Sequence, residues 1–243
     1  MPMGPVNHLE FLQRWDCDES APAFRRLDRL LGLDANLQDA AQDTPGGRNL
    51  RYVRLQAELG GGGMEAQAAC PACAELCEFA LPLGAMLESV PPASDLEVGI
   101  EARGERWRFR LPRMSDLAAL PPGTELGHAL AETCRLDDHG APVPDLVVEA
   151  LGRELDAADP LATPVVELTC SACQTLFSAS VDLASFVARE MDRLANRLLR
   201  DVHLLARAYG WSEEAILAIP PARRRRYLAL IGQDSAPVRA LAV

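Results

Sequence analysis

The pattern of apolar and polar positions divides the chain into short amphipathic pieces and one long one. The long one is Asp182 to Tyr209. Leu183, Phe186, Val187, Met191, Leu194, Leu198, Val202, Leu205 and Tyr209 step by three and four, which predicts a helix with a single apolar face. Asp182 suits its N-terminal end, Arg207 its C-terminal end, and Gly210 stops it. Ser212, with Glu213 and Glu214 behind it, predicts the cap and first turn of a further helix carrying Ile216, Leu217 and Ile219. Pro220-Pro221 resets the chain, and a last helix is predicted from Ala222 to Ile231.

The rest is written in shorter pieces. Residues 1–47 read as an irregular arm with one short helix, Ala23 to Leu33. Arg48 to Leu59 is predicted helical, although Tyr52 and Val53 also suit a strand. Gly60 to Gly63 reads as a flexible joint, since four glycines oppose ordering. Asp95 to Leu111 alternates apolar residues on either side of Arg103-Gly104 and predicts a β-hairpin with Trp107 and Phe109 on its core face. Ser115 is expected to cap a helical turn ending at Leu120. Two further helices are predicted at Thr124 to Cys134 and Pro144 to Leu155, and Asp156 to Pro164 reads as a linker.

Two Cys-x-x-Cys turns interrupt this pattern, Cys70-Pro71-Ala72-Cys73 and Cys170-Ser171-Ala172-Cys173. Each is followed by an apolar run: Leu76, Phe79, Leu81 and Leu83 after the first, read as a strand, and Leu76's counterpart Leu176 with Phe177 after the second. Two such turns supply the four thiolates of one tetrahedral structural zinc site, with Zn2+ bound by Cys70, Cys73, Cys170 and Cys173. A redox dithiol or disulfide pair, unrelated local turns and two incomplete sites are the competing readings. Cys77 is either a substitute ligand or a small buried group, and burial fits better because the second turn has no equivalent cysteine. The predicted fold is α+β, with zinc-ribbon-like CxxC knuckles on short β-hairpins and a C-terminal helical subdomain. Its divisions are the arm at 1–47, an α+β body at 48–180 whose second knuckle spans 165–180, and the helical subdomain at 181–243.

Composition narrows the function classes. The formal charge is −11, and all 24 basic residues are arginine. That balance argues against broad binding of nucleic acid, while Arg106, Arg108 and Arg110 keep one strand face locally basic. The start of the chain lacks a basic region followed by an apolar one, and no apolar run is long enough for a membrane span, so a reducing cytoplasmic setting is expected. There is no nucleophile elbow, HExxH, phosphate loop or dinucleotide fingerprint, and the four histidines are scattered. His203 reads as a packed or hydrogen-bonded helical residue, and His139 in Asp137 to Gly140 as part of a solvated turn. A four-thiolate site leaves zinc no open position for water, which points to structure and away from catalysis or a small-molecule substrate.

The run Arg223-Arg224-Arg225-Arg226 opens the last predicted helix, which spreads the four side chains around its circumference. Solvation, pairing within this acidic body, pairing with a partner and contact with nucleic acid are all open at this point. The block from Val202 through Tyr209-Gly210-Trp211-Ser212-Glu213-Glu214 to Arg223–Arg226 and Tyr227-Leu228 resembles a family of baseplate-associated proteins of contractile phage tails and phage-tail-like injection particles, related to a T-even phage baseplate hub component. Longer members also look to carry two CxxC knuckles. The resemblance implies a non-enzymatic baseplate component or assembly factor that docks on baseplate or hub proteins. It implies that Tyr209, Trp211, Arg223, Arg224, Arg225, Arg226 and Tyr227 face those partners. The protein would be cytoplasmic during assembly, with incorporation into the particle left open. A zinc-ribbon adaptor in transcription or nucleic-acid handling is the alternative, as is a CxxC thiol oxidoreductase.

Overall fold

A computed structural model describes residues 7–18, 20–33, 41–59, 64–81, 83–88, 96–102, 104–121, 123–137 and 140–234. In chain order the elements are α1 (His8–Trp15), α2 (Ala23–Leu30), α3 (Pro45–Glu58), β1 (Met64–Ala69), β2 (Leu76–Leu81), α4 (Leu83–Glu88), β3 (Glu97–Ala102), β4 (Glu105–Arg110), α5 (Met114–Ala119), α6 (Leu126–Cys134), α7 (Asp145–Ala158), β5 (Val165–Thr169), β6 (Leu176–Ser180), α8 (Leu183–Tyr209), α9 (Glu213–Leu217) and α10 (Pro221–Asp234). The architecture is mixed helix with small antiparallel hairpins, each of two strands.

The apolar face of α8 organises the larger core. Leu183, Phe186, Val187, Met191, Leu194 and Leu198 are buried as the periodicity requires. Against them pack Phe11, Leu12 and Trp15 of α1, Leu27 and Leu30 of α2, Tyr52, Val53 and Leu55 of α3, Leu81 of β2, Met86 of α4 and Leu217 of α9. Asp182 caps α8 by accepting the Ser185 N–H at 3.0 Å, and Gly210 ends it in the left-handed conformation at φ 69°. The segment read as an irregular arm with one short helix carries two in its described part, α1 and α2, both seated in this core, which draws on residues either side of 47 and 180. Helix α1 is the element missed. Its signal was Asn7, whose Oδ1 accepts the Glu10 N–H at 2.8 Å, followed by Phe11, Leu12 and Trp15 at helical spacing.

Polar groups tie the first helices in place. Trp15 Nε1 donates to Asp192 at 3.0 Å, Arg26 reaches the same carboxylate at 2.9 Å, and the Arg26 guanidinium lies 3.7 Å from the Trp15 ring centre. Arg48 of α3 is almost wholly buried. Its charge is met by Asp28 at 2.6 Å and Asp43 at 3.2 Å, and Tyr52 donates to Asp28 at 2.7 Å.

A second, smaller core lies between the two CxxC turns in sequence. Strands β3 and β4 pair Val98 with Phe109 and Ile100 with Trp107. These four, with Leu111, pack on Ala131 of α6 and on Val147 and Leu151 of α7. Arg108 is paired with Glu97 at 2.7 Å and Arg110 with Asp116 at 2.6 Å, so the basic face of β4 is largely neutralised within the chain. Ser115 is not a cap: it sits inside α5, and Asp116 closes the turn by accepting the Arg113 N–H at 2.7 Å. The strand expected through Leu83 ends at Leu81, and Leu83 begins α4. His203 is exposed on α8, not packed. Gly60 to Gly63, Pro91-Pro92, Arg103 and His139 fall outside the described residues. Among the described residues no helix is long and apolar enough to cross a membrane.

The two cores meet where α7 ends. This helix runs past Leu155 to Ala158, and the buried Asp159 that follows accepts the Gly46 N–H at 2.9 Å at the start of α3. A Cβ on Gly46 would lie 1.9 Å from Asp159 Oδ1 and 2.8 Å from the Ala162 nitrogen, so only glycine fits the seam. Gly152, midway along α7, meets nothing within 4 Å. Gly46→Ala should destabilise by about 1–3 kcal/mol, lowering the thermal midpoint by roughly 2–10 °C. Gly152→Ala should raise it by roughly 2 °C, through about 0.5–1 kcal/mol of recovered helix propensity. Scanning calorimetry on both variants checks the pair, and equal behaviour would contradict the close approach.

Candidate metal centre

Each CxxC turn is the loop of a hairpin. In the first, β1 and β2 pair Ala69 with Leu76; in the second, β5 and β6 pair Thr169 with Leu176. The intervening backbone closes identically in both. The Cys70 N–H donates to the Glu75 carbonyl at 2.8 Å and the Ala74 N–H to the Cys70 carbonyl at 2.8 Å. The Cys170 N–H donates to the Thr175 carbonyl at 3.0 Å and the Gln174 N–H to the Cys170 carbonyl at 3.0 Å. Ala74 and Gln174 both stand at φ 60°, in the left-handed region where a Cβ costs about 1–2 kcal/mol. The two knuckles are thus copies of one backbone turn, and the register between them is 100 residues at every equivalent position.

The four cysteines meet, although the chain between them carries a whole lobe. Cys70 Sγ lies 3.7 Å from Cys173 Sγ, and Cys73 Sγ lies 3.6 Å from Cys170 Sγ. All four sulfurs lie within 4.8 Å of one another. A disulfide needs about 2.05 Å, and a tetrahedron of thiolates about 2.3 Å from a central ion has edges of about 3.8 Å. The separations match such an edge. The close pairs run between knuckles, so neither CxxC is a closed unit. Cys70 and Cys170 are buried, while Cys73 and Cys173 reach the surface. Cys77 packs with Cys70 and Cys170 as a buried small residue, and Phe177 occupies the equivalent place on the other hairpin.

The surroundings differ between the two turns. The Thr175 hydroxyl, the Thr175 N–H and the neighbouring Cys73 thiol bring Cys173 down to about 6. Cys170 is lowered by the N–H groups of Cys173 and Ala172 in its own turn. Cys73 has the Glu75 N–H to hold it down, yet the thiols of Cys173 and Cys170 push it up to about 12. Burial raises Cys77. Cys170 and Cys173 are therefore the readier thiolates, and a cation held by the cluster would displace the proton of Cys73. Thr175 and the two left-handed residues are the parts of the site that spacing alone did not mark.

The aromatic and basic residues of the C-terminal block gather elsewhere, on α8, in the turn after it and on α10. Tyr209 and Trp211 stack with ring centres 4.7 Å apart, and Tyr227 meets them edge-on at 5.7 and 5.1 Å. Arg223, Arg225 and Arg226 are exposed. Arg224 turns inward: it is buried, its Nε donates to Asp201 at 3.1 Å, and its Nη2 lies 3.3 Å from His8 Nδ1. Arg224 therefore joins α10 to α8 and α1 and cannot be part of a docking surface. No family model, curated protein or solved structure matches the chain.

Replacing a left-handed residue by glycine relieves the Cβ contact and leaves the sulfurs in place. Ala74→Gly should stabilise by about 0.5–1 kcal/mol, raising the midpoint by roughly 1–4 °C. Gln174→Gly should gain less, because Gln174 Nε2 also donates to the Ser171 carbonyl at 3.2 Å. Ala172→Gly should gain nothing. Thermal melts of the three variants test this order.

Proposed function

We propose that the cluster binds one Zn2+ per chain as a structural clip, and that the protein is a non-enzymatic baseplate component or assembly factor of a contractile phage tail or tail-like injection particle. The observation that carries the first half is the convergence of four sulfurs from two knuckles, all within 4.8 Å and two pairs of them at the length of a tetrahedral edge. Cys70, Cys73, Cys170 and Cys173 would hold the ion, and an all-thiolate set of this shape suits zinc. A dithiol oxidoreductase places its CxxC at a helix N-terminus, where the dipole activates one thiol. Here each CxxC lies between strands, and the short distances run across the pair of knuckles, which favours coordination over exchange.

The second half rests on the resemblance of the C-terminal block. In this reading the clip makes a rigid body of two hairpins, and the protein acts by docking. Tyr209, Trp211 and Tyr227, stacked as one group, and the exposed Arg223, Arg225 and Arg226 supply contact residues of the kind that dominate interfaces. Pairing of Arg108 and Arg110 inside the chain weighs against the nucleic-acid adaptor.

Two measurements test the halves separately. Metal analysis of anaerobically purified protein should find about one zinc per chain, lost on replacing any one of the four cysteines by serine and retained in Cys77→Ser. Zinc-free protein with a titrating dithiol would sink the clip. Mass spectrometry of contractile particles from a host carrying a tagged copy should recover the protein with the particle or with soluble baseplate intermediates. Recovery with nucleic acid or polymerase alone would overturn the docking role.

A further inference from the structure

The face of α8 turned away from the core is a basic stripe. Arg189, Arg193, Arg197, Arg200, His203 and Arg207 follow one another at helical spacing, and all are exposed. The stripe runs about 27 Å along the axis at 1.5 Å per residue. Its charge stands out against the rest of the chain: Leu183 to Asp234 carries nine of the 24 arginines and only six of the 35 carboxylates.

Not all of that charge is available. Arg193 is paired with Glu190. Arg189 and Arg193 also share the lining of a groove of about 670 Å³ with Glu65 and Glu78 of the first hairpin. Among the described residues no carboxylate pairs with Arg197, Arg200 or Arg207. Leu204 sits among these three, one turn from Arg200 and from Arg207, and is 38% exposed. Leu199, at the edge of the stripe, is also exposed.

We propose that the face of α8 from Arg197 to Arg207 docks an acidic helical segment of a partner protein, whose carboxylates pair with Arg197, Arg200 and Arg207 and whose apolar side chain covers Leu204. The three arginines span about 15 Å, two to three turns of an opposing helix. Arginine around an exposed leucine is the composition of a protein interface. A phosphate backbone has no use for Leu204, and a duplex running past this short stripe meets a body that holds 29 of the 35 carboxylates. A short acidic segment does not. The proposal rests on the docking role above and names the chemistry of the docked partner.

The test uses the full chain with zinc bound. The probe is a fluorescent helical peptide of about 20 residues with glutamates in the register of the three arginines and a leucine opposite Leu204. Its anisotropy is compared with that of a duplex DNA of equal charge. The peptide should bind and should weaken as salt rises from about 50 to 200 mM. Arg197→Glu/Arg200→Glu/Arg207→Glu should weaken it at least about tenfold, and Leu204→Ala a few-fold at unchanged salt slope. Arg54→Glu/Arg153→Glu, exposed on α3 and α7, should leave it within about twofold. The inference falls if the duplex binds as tightly as the peptide, if the triple reversal has no effect, or if the same residues instead drive self-association seen by sedimentation. In cells, wild type recovered with particle proteins and the triple reversal recovered equally would overturn the inference alone. Wild type missing from particles and intermediates, with the peptide still bound through the stripe, would overturn the baseplate reading and leave the surface assignment standing.

Discussion

Burial of one face of α8 is the constraint from which the rest follows. An isolated helix of this length would leave its apolar stripe in water, and the chain covers that stripe with α1 and α2, which precede it in sequence, and with α9, which follows it. The hairpins are held by the same core. Ala66, Phe79 and Leu81 bring in β1–β2, and Val166 and Val181 bring in β5–β6. The sulfurs therefore converge because the helices pack. Closing a free loop of about 100 residues would cost roughly 4–5 kcal/mol of chain entropy, and much of that closure is already accomplished by apolar contacts. A bound ion would act mostly on the tips, where β5–β6 has an exposed and half-buried alternation with no buried residue, and so little packing of its own to stiffen it.

The 100-residue register extends beyond the cysteines. Gln67 donates to Glu78 across the first hairpin at 2.9 Å, and Ser178 donates to Glu167 at the matching place across the second at 2.5 Å. Met86 and Phe186, one turn into the helices that follow, both enter the larger core. The copies then diverge. The helix after the first hairpin is six residues long, and the one after the second is 27. Cys77 and Phe177, at equivalent positions of the two hairpins, both pack on the sulfur cluster, one small and one large, which breaks the symmetry of its packing. The lobe of β3, β4, α6 and α7 fills the chain between the knuckles and is anchored back on α3 through Asp159 and Gly46.

What could be read from the sequence was what repeats locally. Helix α8 announces itself because nine apolar positions hold one phase between a capping aspartate and a stopping glycine. The β3–β4 hairpin does so by strict alternation about a turn, and Ser212 with two glutamates marks α9. Helix α1 has only eight residues in which to show a phase, and its cap lies among prolines and glycines that suggest an arm. Strand β1, Met64–Ala69, has no β-branched residue and owes its form to pairing with β2. The four clustered cysteines were legible from spacing, since a CxxC turn places two thiols in one short loop. That the close pairs cross between turns was not, because it depends on how two hairpins face each other across a hundred residues.

Arg223 to Arg226 show the same limit at a single helix turn. Four identical letters carry no phase, so the sequence cannot say which one faces inward. The phase is set by the neighbours: Asp201 on α8 offers a carboxylate and His8 on α1 a ring nitrogen, and Arg224 is the one within reach of both. Burial and the adjacent guanidinium lower the pKa of His8, which keeps its ring neutral and able to accept from Arg224. A buried arginine with a charged partner fixes the rotation of α10 on α8 more tightly than apolar contact alone, since any other rotation leaves Asp201 facing an unpaired or empty site. The rotation also brings Tyr227 against Tyr209 and Trp211. The same buried pair thus decides which aromatic and basic groups the C-terminal helices leave at the surface, so the character of that surface is set from inside the fold.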